Sequence, residues 1–221
     1  MSDRISQMNN YKYDGIILDI DGTIWDTTPI VSGAWNKCID DLGFANRAAY
    51  VNSEILKKEF GKTMDIIADE LWPELSKEEK DRLMKECCSK EHAALRNDEC
   101  NICYPNVKEI VKELSDKINF YVVSNCQDGY IQLMLEKTGL SSYVKDFECF
   151  GHTKKGKAEN LIDIINRNKI EKPVYIGDTN GDCNECKKAQ VPFIWASYGF
   201  GKADSYVAKL EDFSELTKFI L

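Results

Sequence analysis

The segment Tyr13-Asp14-Gly15-Ile16-Ile17-Leu18-Asp19-Ile20-Asp21-Gly22-Thr23 constrains the fold most, because an apolar run too short for a helix stops abruptly at two carboxylates and a glycine. Unbroken apolar character suits a strand buried on both faces, as in a parallel sheet. The pattern recurs: Phe120-Tyr121-Val122-Val123 runs into Ser124-Asn125, and Val174-Tyr175-Ile176 runs into Gly177-Asp178. Each strand thus delivers polar groups at its C-terminal end. Weaker runs at 147–150 and 193–196 bring the expected strands to five.

Helical patterns lie between these runs. Residues 127–137 carry Ile131, Leu133, Met134 and Leu135 ahead of Gly139, and residues 158–166 carry Leu161, Ile162, Ile164 and Ile165. Strands alternating with helices predict a doubly wound, Rossmann-like α/β core whose ligands bind at the carboxyl ends of the strands.

Residues 28–97 interrupt the alternation with helical patterns and no strand. Thr28 is expected to cap a helix with Pro29 at its first position, Ala34, Cys38, Ile39 and Leu42 on one face, and Gly43 after its end. Thr63 is expected to cap a second helix carrying Ile66, Ile67 and Leu71, and Ser76-x-x-Glu79 reads as the capping box of a third. The predicted organisation is an α/β core from 1–27 and 98–221, with an all-helical insert at 28–97. The charged stretch 77–85 reads as a solvated helix face.

With 43% apolar and 30% charged residues, the 221-residue chain has the composition of a soluble globular protein. Its 37 acidic against 29 basic residues give a net charge of −8, which argues against a nucleic-acid or anionic-membrane partner. There is no apolar core of signal-peptide length at the start and no run of about 18 apolar residues elsewhere, so a cytoplasmic location is expected. In that compartment the nine cysteines should be free thiols. The pairs Cys100/Cys103 and Cys183/Cys186 have zinc-ligand spacing, but Cys183, Cys186 and Ala189 more simply form a small apolar helix face. No heptad seam is present, and a monomer is the default expectation.

The polar groups at the strand ends are Asp19, Asp21 and Thr23, Ser124 and Asn125, and Asp178 with Asp182; Lys157 joins them. Four carboxylates in one crevice repel one another by on the order of several kcal/mol, so a positive group must bind there. Lys157 supplies one charge and a divalent cation two. Hard oxygen ligands without histidine point to Mg²⁺. Such a site, with Gly22 admitting an anion close to the backbone and Ser124 and Asn125 donating to it, has the parts of phosphoryl transfer. In an extended chain Asp19 and Asp21 project to the same side, so one carboxylate can attack while the other manages protons.

Asp19-Ile20-Asp21-Gly22-Thr23, Ser124-Asn125, Lys157 and Gly177-Asp178-x-x-x-Asp182 resemble the four ordered motifs of the haloacid dehalogenase superfamily. The helical insert resembles its C1-type cap, and the whole chain resembles the phosphoglycolate-phosphatase-like branch. The resemblance implies a phosphatase for a small phosphorylated metabolite, with Asp19 as nucleophile forming an aspartyl-phosphate and Asp21 as general acid and base. It implies Mg²⁺ held by the Asp19 carboxylate, the Asp21 backbone carbonyl and Asp178, with Asp182 in the outer shell or steadying Lys157. Ser124 would bind the phosphoryl group, Thr23 would position Asp21, and Lys62 in the loop Gly61-Lys62-Thr63 would read the leaving group. The implied strand order is 5-4-1-2-3.

The motif lysine is sought among Lys154, Lys155 and Lys157, of which Lys157 fits best because it leads directly into a helix. Asp21 argues against dehalogenation, and Gly177 against a sugar phosphomutase, the alternative enzyme. A receiver-like module phosphorylated on aspartate is the non-enzymatic alternative, which a large helical insert disfavours. Trp25, four residues past Asp21, is placed to exclude water when the cap closes.

Overall fold

The structure is a computed structural model and describes residues 12–99 and 102–220. Among these, six parallel strands form one sheet in the order β3-β2-β1-β4-β5-β6. They are β1 (Gly15–Leu18), β2 (Asn119–Ser124), β3 (Val144–Cys149), β4 (Pro173–Gly177), β5 (Phe193–Ala196) and β6 (Ala208–Leu210). The first five have the expected order. The sixth extends the sheet beyond β5; it is three residues long with only Leu210 buried, too little apolar pattern to announce itself. β3 begins earlier than 147 and ends before Phe150. Its Lys145, Asp146 and Glu148 belong to an edge strand, which need not be apolar on both faces.

Central β1 pairs with β2 on one side and β4 on the other, with Ile17 opposite Tyr121 and Tyr175. Successive side chains point to opposite faces, so Ile16 and Leu18 enter one apolar cluster and Ile17 the other. The Ile17 face is covered by α8 (Lys157–Asn168) and α9 (Asn180–Ala189) through Leu161, Ile164, Cys183 and Cys186. The opposite face is covered by α5 (Val107–Leu114), whose Val107, Ile110, Val111 and Leu114 make one helical stripe, and by α6 (Tyr130–Thr138).

The stretch 28–97 carries four helices: α1 (Thr28–Asp41), α2 (Ser53–Glu59), α3 (Met64–Leu71) and α4 (Lys77–Asn97). Thr27, not Thr28, occupies the N-cap of α1; Thr28 instead turns its hydroxyl back to Asp26 Oδ1 (2.6 Å). Thr63 stands at the N-cap of α3 without a side-chain bond, whereas the Ser76–Glu79 capping box of α4 is complete. Trp35 on α1 anchors the cap, with Trp72 and Phe60 about it at ring separations of 6.0 and 6.3 Å. The charged start of α4 faces solvent, as the Lys77–Asp81 pair does. Residues of the cap and of the Leu18 face of the sheet belong to one continuous apolar cluster, so the cap sits directly over the C-terminal strand ends.

The helix from 158 starts at Lys157, and that from 127 starts at Tyr130 after a turn. The short α7 (Phe150–Thr153) precedes α8, and a 3₁₀ turn (Phe213–Leu216) leads into α10 (Thr217–Ile220).

Two adjacent residues of α8 test its orientation: Leu161 is wholly buried and Ile162 is 42% exposed. Leu161→Ala should lower unfolding free energy by about 2–5 kcal/mol, and Ile162→Ala by well under about 1 kcal/mol, in denaturant titration.

Candidate active site

Lys157, the first residue of α8, points its side chain under the end of β1 and is 2% exposed. Its Nζ donates to Asp182 Oδ1 at 2.5 Å and lies 3.1 Å from Asp19 Oδ1. Burial opposes its charge, but the carboxylates of Asp182 and Asp19 outweigh it and hold the ammonium above the ordinary lysine range. Asp182 sits in the first turn of α9. Its Oδ2 accepts from Thr179 N (3.0 Å) and Thr179 Oγ1 (2.7 Å), completing a capping box. Burial raises the Asp182 carboxyl, yet the Lys157 charge wins and leaves it below the usual range. With both oxygens engaged, Asp182 fixes the lysine.

Asp178 follows β4 and is 1% exposed. Its Oδ2 accepts from Phe200 N at 2.7 Å, while its Oδ1 is buried without a partner. Burial, reinforced by repulsion from Asp182 and Asp19, drives its carboxyl well above the ordinary range. Asp19 Oδ1 is also buried, with Lys157 beside it but no aligned hydrogen bond. Burial pushes the Asp19 carboxyl up to about 6 despite the Lys157 charge. One carboxylate oxygen from each of Asp19, Asp178 and Asp182 falls within 4.8 Å of the others, the one such potential metal-holding group among the described residues.

The buried, unpartnered Asp178 Oδ1, within reach of the Asp19 and Asp182 carboxylates, fits a hard divalent cation, which would supply the missing partner and favour the ionised forms. Gly22 has φ +80°, and a Cβ there would collide with the Asp178 carboxylate, so glycine is needed for close approach.

The Asp21 carboxylate lies outside that group and faces the cap. Its Oδ1 accepts from Tyr130 Oη (2.8 Å), Trp25 Nε1 (3.0 Å) and Thr27 Oγ1 (3.2 Å). Burial lifts its carboxyl to about 7 against the pull of these donors. Thr23 does not position Asp21: its Oγ1 is buried with no partner, and Thr27, Trp25 and Tyr130 take that task. Trp25, expected as a water-excluding aromatic, is fully buried and stands edge-on to Tyr130 at 5.5 Å.

Ser124 ends β2 and is buried beside the β1 exit, since Leu18 pairs with Val122. Asn125 Nδ2 donates to Gly61 O of the cap loop at 2.8 Å, joining core and cap. Lys62 borders the same space, but its ammonium is bonded to Glu59 (2.8 Å) and Glu70 (2.6 Å). Asp21, Ser124, Asn125, Lys62, Gln127 and Tyr130 line this space, which encloses about 10 Å³, room for one water molecule. The cap is therefore closed over Asp21.

Lys154 bonds the carbonyl of Gly151 and Lys155 pairs with Asp163 at the surface, leaving Lys157 as the lysine that reaches the carboxylates. No disulfide joins the described cysteines. Cys183 donates to Ser205 O (3.0 Å) and Cys186 is buried on the α9 face; Cys100 lies outside the described residues. Sequence reasoning missed Thr27, Tyr130, Glu91 and Gln127. It missed Thr179 as well, which alone among these carries a local signal, the capping-box spacing to Asp182.

Residues 16–196 match the model of the haloacid dehalogenase-like hydrolase family. A phosphoglycolate phosphatase of Vibrio parahaemolyticus is 22% identical over 209 residues, covering 90% of each chain. A haloacid dehalogenase-like hydrolase of Streptococcus pneumoniae superposes with a TM-score of 0.80 at 15% identity, over 94% of this chain and 98% of that one. CbbY of Rhodobacter sphaeroides, crystallised with xylulose-(1,5)bisphosphate, gives 0.80 at 12% identity, over 95% and 100%. At such identities these structures establish a shared fold.

A carboxyl whose pKa is higher folded than unfolded contributes stability at low pH that is lost as pH rises toward the folded value. Asp19 (3.8 to about 6), Asp21 (3.8 to about 7) and Asp178 all move this way. In EDTA the melting temperature should therefore fall from pH 5 to pH 8, and Mg²⁺ should recover most of the loss at pH 8. A rise or a flat profile in EDTA would contradict this burial of uncompensated carboxyls.

Proposed function

Because the chain belongs to the haloacid dehalogenase-like hydrolase family, we propose that it is a Mg²⁺-dependent phosphatase that passes the phosphoryl group of a small monoester through Asp19 to water. The observation that carries this reading is the contrast between two aspartates two residues apart. Asp19 lies against a buried ammonium and the cation-fitting oxygens, while Asp21 lies among neutral donors with its carboxyl near pH 7. Environments that separate two carboxyls in this way divide the labour of nucleophile and proton carrier.

In the proposed reaction a carboxylate oxygen of Asp19 attacks phosphorus in line with the ester oxygen. The new O–P bond forms as the ester P–O bond breaks, and Asp21 gives its proton to the departing alkoxide. Asp21, now ionised, takes a proton from water as that water attacks the aspartyl-phosphate. The Asp19–phosphorus bond breaks, releasing inorganic phosphate. Asp19, Asp178 and the Asp21 carbonyl would hold the cation, which when bound would supply charge neutralisation for the phosphoryl oxygens. Lys157 keeps Asp19 ionised and in place, and Ser124 donates to the phosphoryl oxygens. Gly22 leaves room for that group beside the backbone.

The phosphoglycolate phosphatase relative supports a small phosphomonoester as the substrate class. Asp21 favours hydrolysis over dehalogenation, which has no need for a proton carrier there. Sugar phosphomutases of similar architecture often have an acidic residue where this chain has Gly177, and any side chain here would press on Asp182 at 2.7 Å, which disfavours that alternative.

Asp19→Asn should lower kcat for p-nitrophenyl phosphate by about 10³-fold or more, and EDTA should silence the wild type until Mg²⁺ is restored. Asp21→Asn should harm an alkyl phosphate more than p-nitrophenyl phosphate, whose leaving group needs little protonation. Full activity in Asp19→Asn would remove the nucleophile assignment.

A further inference from the structure

The space between cap and core holds a buried carboxyl that the proposed reaction does not use. Glu91 on α4 is 2% exposed. Its Oε2 accepts from Trp35 Nε1 and its Oε1 from Gln127 Nε2, both at 2.8 Å. Trp35 belongs to the cap and Gln127 follows β2, so Glu91 is fixed from both sides of the closure. It lies on the wall of the same space as Asp21, where an ester's leaving group must sit if the phosphoryl group is at Asp19.

The rest of that wall is short of donors. Asn125 and Gln127 each spend their NH₂ group on a protein acceptor, the Gly61 carbonyl and Glu91, and the side-chain oxygen of each is buried with no partner. Buried oxygens of this kind call for donors from a ligand. Lys62 is the one basic residue on the wall among the described residues, and Glu59 and Glu70 already share its ammonium. A leaving group ending in a carboxylate would be buried against the two unpartnered amide oxygens, with its only cation engaged elsewhere. A leaving group bearing hydroxyl or ammonium groups would satisfy those oxygens.

We propose that the substrate is the phosphomonoester of a small hydroxyl- or amine-bearing alcohol rather than of a hydroxy acid, and that Glu91, Gln127 and Asn125 select it. The inference rests on the phosphatase reading and narrows it away from the phosphoglycolate of the Vibrio relative. With the cap closed this space holds about one water molecule, so the cap must part to admit the ester before these residues meet its leaving group.

The test compares kcat/KM of the full chain with Mg²⁺ on glycerol 3-phosphate, phosphoethanolamine and 2-phosphoglycolate, with p-nitrophenyl phosphate as the general reference. At least one of the first two should exceed 2-phosphoglycolate by about tenfold or more. A preference for glycerol 3-phosphate identifies hydroxyl recognition and one for phosphoethanolamine identifies ammonium recognition; either supports the proposal. Gln127→Lys, which places a cation on the wall, should shift the ratio toward 2-phosphoglycolate by about tenfold. Hydrolysis of p-nitrophenyl phosphate together with equal or better use of 2-phosphoglycolate overturns the inference and leaves the phosphatase reading standing. No hydrolysis of any ester overturns the phosphatase reading and the inference with it.

Discussion

A single buried ammonium ties the carboxylates at the strand ends together. Lys157 begins α8, Asp182 caps α9 and Asp19 leaves β1, and the three meet beneath the strand ends at 2.5 and 3.1 Å. Removing the lysine would leave two carboxylates buried without compensation, a loss of about 3–5 kcal/mol for a pair of this kind. Asp182 is held in turn by Thr179, and the Tyr175 ring lies 5.5 Å from the ammonium. The arrangement fixes the Asp19 carboxylate by charge and leaves its neighbour Asp178 with an oxygen to spare. That surplus of negative charge is what a divalent cation would answer.

The cap acts on the other aspartate. Trp25 and Thr27, on the segment that leads from β1 into α1, close on Asp21 together with Tyr130 of the core. Trp25 also pairs with Cys103, where the chain returns from the cap, so the outgoing and returning segments are laced together. Gly61 of the cap loop meets Asn125, and Trp35 and Gln127 meet at Glu91. Access to the carboxylates therefore requires the loop at Gly61 and helix α4 at Glu91 to part from the end of β2. This couples solvent exclusion to the contacts proposed to read the leaving group.

Much of this was readable from residue patterns because the signals are local. Three apolar runs ending in polar residues located β1, β2 and β4 and the residues at their ends, and the loss of strand pattern after Thr28 marked the helical cap. The capping box at Ser76 was legible for the same reason, since its partners lie three residues apart. The edge strands were harder: β3 alternates with polar residues and β6 has a single buried side chain. The family resemblance implies that Thr23 positions Asp21, whereas it is Thr27 whose hydroxyl bonds the Asp21 carboxylate. Tyr130, Glu91 and Gln127 join the site from 109, 70 and 106 positions beyond Asp21 in sequence, and nothing in their own neighbourhoods announces it. Lys62 illustrates the converse: a promising cation by position, its charge is consumed by Glu59 and Glu70.

The central claim is that Asp19 itself carries the phosphoryl group during turnover. Quenching the enzyme in acid while it hydrolyses a monoester, then mapping its peptides by mass spectrometry, addresses this directly. The account predicts a hydroxylamine-labile phosphoryl group on the peptide containing Asp19. A phosphoryl group on Ser124, or steady turnover with no covalent species in the wild type and in a variant slowed at Asp21, would contradict it.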